Sequence, residues 1–290
     1  MALDADSFTQ CEQATASLIK LGASKDVLPA LRSASKHPSL EVRLRVARII
    51  EQIKVVVLHD AFTKLAQTKN DADIDLEHGM WLIARIETPD LDRKTIDQQL
   101  DQLAAEVRAV IGNKNDPSKL PPAKVVEAIR SIIFTKHGFT GDTETYRTPA
   151  NSLIDQVLKR RKGLPILLSH VVVSVGTRLK VPIVGLQIPG KYMVKYDGSR
   201  SPRDHESKDI IIDAYGGGRI LTVEELSKEI STFEPTRHLL PSGKRDSLTR
   251  MMRNLETHYA SVGRHGKAKE TMRYRIIMET YPNLKVDERQ

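Results

Sequence analysis

Apolar residues recur every three or four positions over most of the first 110 residues, a spacing that predicts helices. Between Ala14 and Lys54 the stripe runs through Leu18, Ile19 and Leu21, then Val27, Leu28 and Leu31, then Val42, Leu44, Val46, Ala47, Ile49 and Ile50. It breaks at Gly22 and at His37-Pro38, where the proline disfavours helix in the residue before it. LEHGMWLIARIE (76–87) follows, and then an amphipathic helix over 91–111 with Ile96, Leu100, Leu103, Val107 and Val110/Ile111 on one face. Asp90 and Asp92 stand where a helix N-terminus favours negative charge. GNKNDPSKLPP (112–122) is the clearest loop in this half and a candidate domain boundary.

Beyond residue 122 the pattern changes. A helix over Ala123–Thr135 leads into a polar loop, with Asn151 a candidate N-cap for the helix that ends near Arg161. Gly163 and Pro165 open a strongly apolar helix. Three short runs then read as strands: 181–189, 191–197 and 209–215. Pro189-Gly190 separates the first two, and the third ends at Gly216–Gly218. No Gly-Lys-Ser/Thr ending follows those glycines, so they predict a turn with positive φ rather than a phosphate loop. Thr222 with Glu225 three residues on makes a capping box for a helix over 221–230. The last fifty residues read as a helical hairpin with Gly263 and Gly266 in its turn. The class is α+β: a mainly helical region (1–112), a core with a small antiparallel sheet (123–235) and a C-terminal helical hairpin (240–290).

Composition narrows the function classes. In 290 residues, 40% are hydrophobic and 28% charged, a folded profile. No apolar run suggests a membrane span, and the N-terminus does not read as a signal peptide. Cys11 is the only cysteine, so an internal disulfide and a cysteine-based zinc site are excluded, and a cytoplasmic location is expected. The net charge is +8. Residues 151–203 hold ten Lys/Arg against Asp155 and Asp197, and 237–275 is also basic. Such clustering suits an anionic partner, nucleic acid included, or simply a solvated basic surface. Aromatics at 4% offer few platforms for stacking single-stranded bases.

The segment GFTGDTETYRTPANSLIDQVLKRRKGLPILLSHVVVSVGTRLKVPIVGLQIPGKYMVKYDG, followed by IIDAYGGGRILTVEEL, resembles the transglutaminase-like superfamily. It is most similar to the SirB-type invasion-regulator branch, which is also found in some F-box proteins. The resemblance implies a papain-like α+β core. It also implies a site in which a Cys at a helix start is the nucleophile, a His on the following hairpin is the base and an Asp on the next strand orients the His. In this sequence Pro165 stands at the Cys position and Lys191 at the His position, while Asp213 is retained. Proline has no nucleophile, and lysine is ordinarily a cation rather than a base. The stretch from Asp26 to Ile53 resembles one HEAT-type repeat, and the C-terminal hairpin resembles a tetratricopeptide-type tail.

These residues lead to an expected non-catalytic binding or regulatory protein, with a peptide, protein or anionic partner and no cofactor. Arg160, Arg161, Lys162 and Gly163 at the helix start, with Gly190, Lys191, Tyr192 and Asp213 on the hairpin and next strand, are the candidate ligand-binding residues. Arg160–Lys162 read equally as caps of the preceding helix. A Lys191–Asp213 salt bridge is the expected replacement for the His–Asp contact. One alternative is a cysteine-independent amide or peptide hydrolase using Ser169, Lys191 and Asp213. A second is nucleic-acid binding through the basic segments. Ser169 and His170 are helix neighbours and cannot pair with each other. His205, between Asp204 and Glu206, reads as part of a solvated loop, and no metal is expected.

Overall fold

The computed structural model describes residues 8–22, 27–201 and 208–281. Residues up to Gln67 form one compact unit and those from Thr68 a second.

The first unit is three helices: α1 (Phe8–Leu21), α2 (Val27–Ala34) and α3 (Leu40–Ala66). The predicted breaks at Gly22 and Pro38 are present. Ser39 caps α3 by accepting from the Val42 N–H at 3.5 Å. Val42, Val46, Ile49 and Ile53, spaced by four, three and four, bury against Leu31. The helix runs on past Lys54 because Leu58, Phe62 and Leu65 continue a buried stripe.

The second unit starts with α4 (Leu76–Glu87) and α5 (Arg93–Ile111). Asp75 and Asp92 cap them, accepting from the N–H groups of His78 and Lys94. Ile96, Leu100, Leu103, Val107 and Ile111 are buried as their spacing predicts, whereas Val110 faces solvent. The chain therefore divides before α4 rather than at the 112–122 loop, since α5 packs on the central helix of the core. α6 (Pro122–Arg130) continues into a π-helical turn over Ser131–Lys136. β1 (Thr140–Gly141), α7 (Ile154–Arg160) and β2 (Lys162–Gly163) lead to α8 (Pro165–Leu179), and β1 and β2 pair in parallel.

β3 (Ile183–Ile188), β4 (Lys191–Tyr196), β5 (Ile210–Asp213) and β6 (Arg219–Leu221) form an antiparallel meander in chain order. β6 was not evident from sequence, because its side chains alternate little and two of its three residues are exposed. The helices α9 (Val223–Glu229), α10 (Pro235–His238), α11 (Lys244–Ser261) and α12 (His265–Thr280) complete the chain. The Thr222–Glu225 capping box is formed, with Glu225 Oε2 2.7 Å from the Thr222 nitrogen. Gly263, at φ 76°, makes the turn between α11 and α12, while Gly266 lies inside α12. Among the described residues no helix is long and apolar enough to cross a membrane.

The sheet is covered on both faces. Leu186, Ile188, Met193, Ile211 and Leu221 pack with Leu226 and Phe233 on the α9 side. Side chains one position out of phase turn to α8, where Tyr192 bonds to His170 and Gly176 closes on Ile183. The free edge of β3 is covered by a bridge between Leu186 and Pro241, and the Ser242 N–H donates to the Gly185 carbonyl at 2.8 Å. The C-terminal hairpin is tied to α4 through Glu87, which accepts two bonds at 2.9 Å from Arg264 and one at 2.8 Å from Tyr259.

Gly218 has φ 80°, and a Cβ there would lie 2.2 Å from the buried Phe134 ring. Gly217, at φ 69°, has open space instead. Urea unfolding should therefore show Gly217→Ala losing about 1 kcal/mol and Gly218→Ala about 2–4 kcal/mol. Equal losses would mean that the Phe134 contact does not resist the added methyl.

His170 is 3% exposed, and burial pushes its imidazole down to about 3. The folded chain keeps it neutral, whereas the unfolded chain binds a proton near pH 6.5. Its contribution to stability is complete above about pH 6.5 and is lost as pH falls from there toward 3. Between pH 6 and 4 the wild type should lose about 2–3 kcal/mol more than His170→Leu, as read by urea titration at each pH. Parallel losses in the two proteins would show that the ring takes up its proton without unfolding.

Candidate functional site

The Gly163-Leu164-Pro165 helix start is built for packing. Pro165 occupies the first turn of α8, where its missing N–H costs nothing and its ring fixes φ. A Cβ on Gly163 would meet Val157 Cγ2 at 2.7 Å, so glycine is required where β2 passes α7. The Leu164 N–H donates to the Asn151 carbonyl at 3.1 Å.

The basic residues before this start are used internally. Arg160 donates to Asp142 Oδ2 at 2.8 Å and to Asn151 Oδ1 at 2.9 Å. Asp142 is only 2% exposed. Burial by itself would raise its pKa, but bonds from the Thr145 backbone and hydroxyl, from Asn151 and from Arg160 hold it far below the usual carboxylate range. Asn151 is not the expected N-cap: it sits in a 3-10 turn, donates to the carbonyls of Thr145 and Tyr146, and leaves the cap position to Leu153. Arg161 takes the left-handed conformation that ends α7, with its side chain exposed beside a small cavity lined by His137 and Phe139. Lys162 lies 3.7 Å from Glu144. The expected anion cradle at this helix start is thus replaced by an internal clamp, because a buried carboxylate needs the guanidinium more than the surface does.

On the hairpin the expected Lys191–Asp213 salt bridge is absent. Lys191 Nζ meets Glu229 Oε2 at 2.8 Å, and Arg219 meets the other oxygen of Glu229 at 2.8 Å. Asp213 instead accepts from the Gly216 N–H at 2.9 Å and supports the glycine turn. Strand alternation explains the exchange. Lys191 shares the phase of Met193, on the α9 side, where Glu229 ends the helix. Ser169 lies on the other side, fully buried, with its hydroxyl on the Tyr192 carbonyl at 3.4 Å. The sheet therefore separates the Ser–Lys pair that a hydrolase would need. Tyr192 is also internal: its hydroxyl bonds to His170 Nε2 at 3.1 Å and to Ser247 Oγ at 2.8 Å.

Gly190 lines a recess of about 390 Å³. Its wall is formed by the Pro189-Gly190 turn, by Arg237 and His238 of α10, and by Ser242 and Arg250 around the start of α11. These residues lie about fifty positions apart in sequence, and no local motif links them. The basic run over 237–275 was the one available signal. Most of that run, and of the run over 151–203, is engaged elsewhere. Arg178 bonds to Glu77 and Asp101, Lys195 to Asp209, Arg253 and Arg275 to Glu279, and Lys244 and Arg245 to backbone carbonyls. Asp204, His205 and Glu206 lie outside the described residues. Among the described residues no group of three or more His, Cys, Asp or Glu is disposed to hold a metal ion.

Comparison with known proteins accords with this layout. A sequence model of the transglutaminase-like superfamily matches residues 94–253. A UPF0162 protein of Xylella fastidiosa is 31% identical over 210 residues, covering 69% of this chain and 70% of its own length. A UPF0162 protein of Vibrio cholerae is 36% identical over 73 residues, 25% of this chain and 27% of its own. F-box only protein 21 of Mus musculus is 31% identical over 104 residues, 36% of this chain and 17% of its own. No solved structure gives a significant match. The matched span holds α5 to α8, the whole sheet and the start of α11, and on this evidence the chain belongs to the transglutaminase-like superfamily.

Proposed function

We propose that this protein binds a partner or ligand through a transglutaminase-like core that has lost thiol catalysis. The observation that carries the reading is the helix start: the family's nucleophile position holds Pro165, and no cysteine occurs anywhere in residues 94–253. Lys191 supports it further, since its amine is drawn to Glu229 on the face of the sheet away from α8. A lysine amine is ordinarily a cation, which neither takes a proton nor attacks a carbonyl.

The hydrolase alternative has less support, because Ser169 is buried and separated from Lys191 by the sheet. Nucleic-acid binding through a broad basic face is likewise disfavoured, as most of the cations in both basic segments already contact carboxylates or carbonyls. A peptide, protein or small anionic partner at a confined place remains the reading these contacts favour. The F-box relative matches 36% of this chain, and what its name implies belongs to that protein alone.

The test is an acyl-transfer assay. The full chain is incubated with a glutamine-containing acyl-donor protein and a fluorescent primary amine as acceptor, and separately with an activated amide. Neither product should form above the protein-free rate. Turnover that survives Cys11→Ser but disappears in Ser169→Ala or Lys191→Met would overturn the proposal and restore the hydrolase.

A further inference from the structure

The recess beside the β3–β4 turn has a chemistry of its own. Two guanidinium groups, Arg237 and Arg250, and one imidazole, His238, line it against a single carboxylate, Asp246. His238 Nδ1 accepts the Glu234 N–H at 2.8 Å. In the neutral ring that bond leaves the proton on Nε2, so the free nitrogen is a donor. The ring is further fixed by stacking on Phe233 at 5.9 Å.

Arg250 is held in place from behind. Its guanidinium lies 5.5 Å from the Tyr192 ring centre, and Nη2 donates to the Lys191 carbonyl at 3.1 Å. Tyr192 is in turn fixed by His170 and Ser247, and Ser247 Oγ lies 3.1 Å from Ser242 Oγ. Ser242 accepts from the Gln187 side chain at 3.1 Å. A chain of polar groups therefore runs from the buried centre of α8 to the wall of the recess. Such a chain locks the rotamers at its outer end, while at its inner end His170 Nδ1 is buried without a hydrogen-bond partner. By contrast Arg237 is exposed, and the described residues show no carboxylate or carbonyl within reach of its guanidinium.

We infer that this recess binds a small ligand carrying one oxyanion, a carboxylate or a phosphate, on a short apolar body. Arg250 supplies the preset donors, Arg237 closes over the anion from the solvent side, and His238 Nε2 gives a third hydrogen bond. Pro189, Leu240 and Pro241 line the same space and suit the apolar body, with Ile188 behind them buried in the core. The volume of about 390 Å³ falls within the range of small-molecule sites. The single carboxylate, Asp246, disfavours a dianionic body extending along that side. This inference rests on the reading of the chain as a binding protein, and it names the place and the chemistry of one ligand.

Isothermal titration of the full chain with inorganic phosphate and, separately, with butyrate tests it and distinguishes the two sources of the anion. One of the two should bind saturably. Arg237→Ala, a change at an exposed side chain, should weaken that binding at least about tenfold, the loss expected for one charge-assisted hydrogen bond. Arg250→Gln should weaken it as much or more. Arg161→Ala, which removes an exposed cation away from the recess, should leave it unchanged. No saturable binding of either probe would overturn the inference, as would an equal loss in Arg161→Ala, which would indicate general charge attraction. If Arg250→Gln fails to fold by circular dichroism, Arg237→Ala decides alone. Failure here leaves the absence of acyl transfer standing, whereas turnover in the acyl-transfer assay would overturn the parent reading on which this one rests, so the two failures are told apart by which assay gives them.

Discussion

Strand β4 is buried along nearly its whole length on both faces, and that constraint fixes most of what surrounds it. Met193 and its phase partners need an apolar cover, which α9 and Phe233 supply. Tyr192, Val194 and Tyr196 need another, which α8 supplies. A slip of one residue would exchange the two sets and send the charged Lys191 toward the apolar helix. Lys195, the other lysine of the strand, is 6% exposed and tolerable only because Asp209 meets its amine at 2.6 Å. The register of the hairpin is therefore specified by burial and by charge together.

From that register follows the fate of the positions where the family's chemistry would stand. Lys191 and Asp213 keep to one side of the sheet, and α8, with Pro165 in its first turn and the buried Ser169, packs on the other. The charged groups have found structural work. Glu229 joins Lys191 to Arg219, and Arg160 neutralises the buried Asp142. Each of these ion pairs removes a cation from the surface that net charge alone assigns to a partner. Arg237, His238 and Arg250 lie together at the far end of the hairpin, where α10 and α11 meet the Pro189-Gly190 turn.

The sequence read this architecture well where the signal was local. The helix face of α5, and that of α3 apart from the exposed Leu44 and Ala47, followed from spacing, the caps at Asp92 and Thr222 from side-chain chemistry, and the positive-φ turns at Gly217 and Gly218 from glycine itself. The membership of the superfamily was legible in ordered motifs from the 134–226 stretch. Asn151 misled because its amide could serve a cap or a loop equally, and only the carbonyls of Thr145 and Tyr146 decide between them. The Lys191–Asp213 pair misled because opposite charges on neighbouring strands suggest contact, while a nearer carboxylate from a later helix was invisible.

What the sequence determined by itself is the absence of cysteine from residues 94–253 and the proline at the start of α8, which hold in any conformation of the chain. It also determined the order of helix, hairpin and strands, since periodicity and turn residues act over a few neighbours. Only the tertiary structure decided which charges are free. Partners such as Lys191 and Glu229, or Arg160 and Asp142, lie 38 and 18 residues apart, and the recess joins residues from three elements. A charge at the end of a long side chain goes to the nearest satisfying partner in space, and that neighbour exists only once the chain has folded.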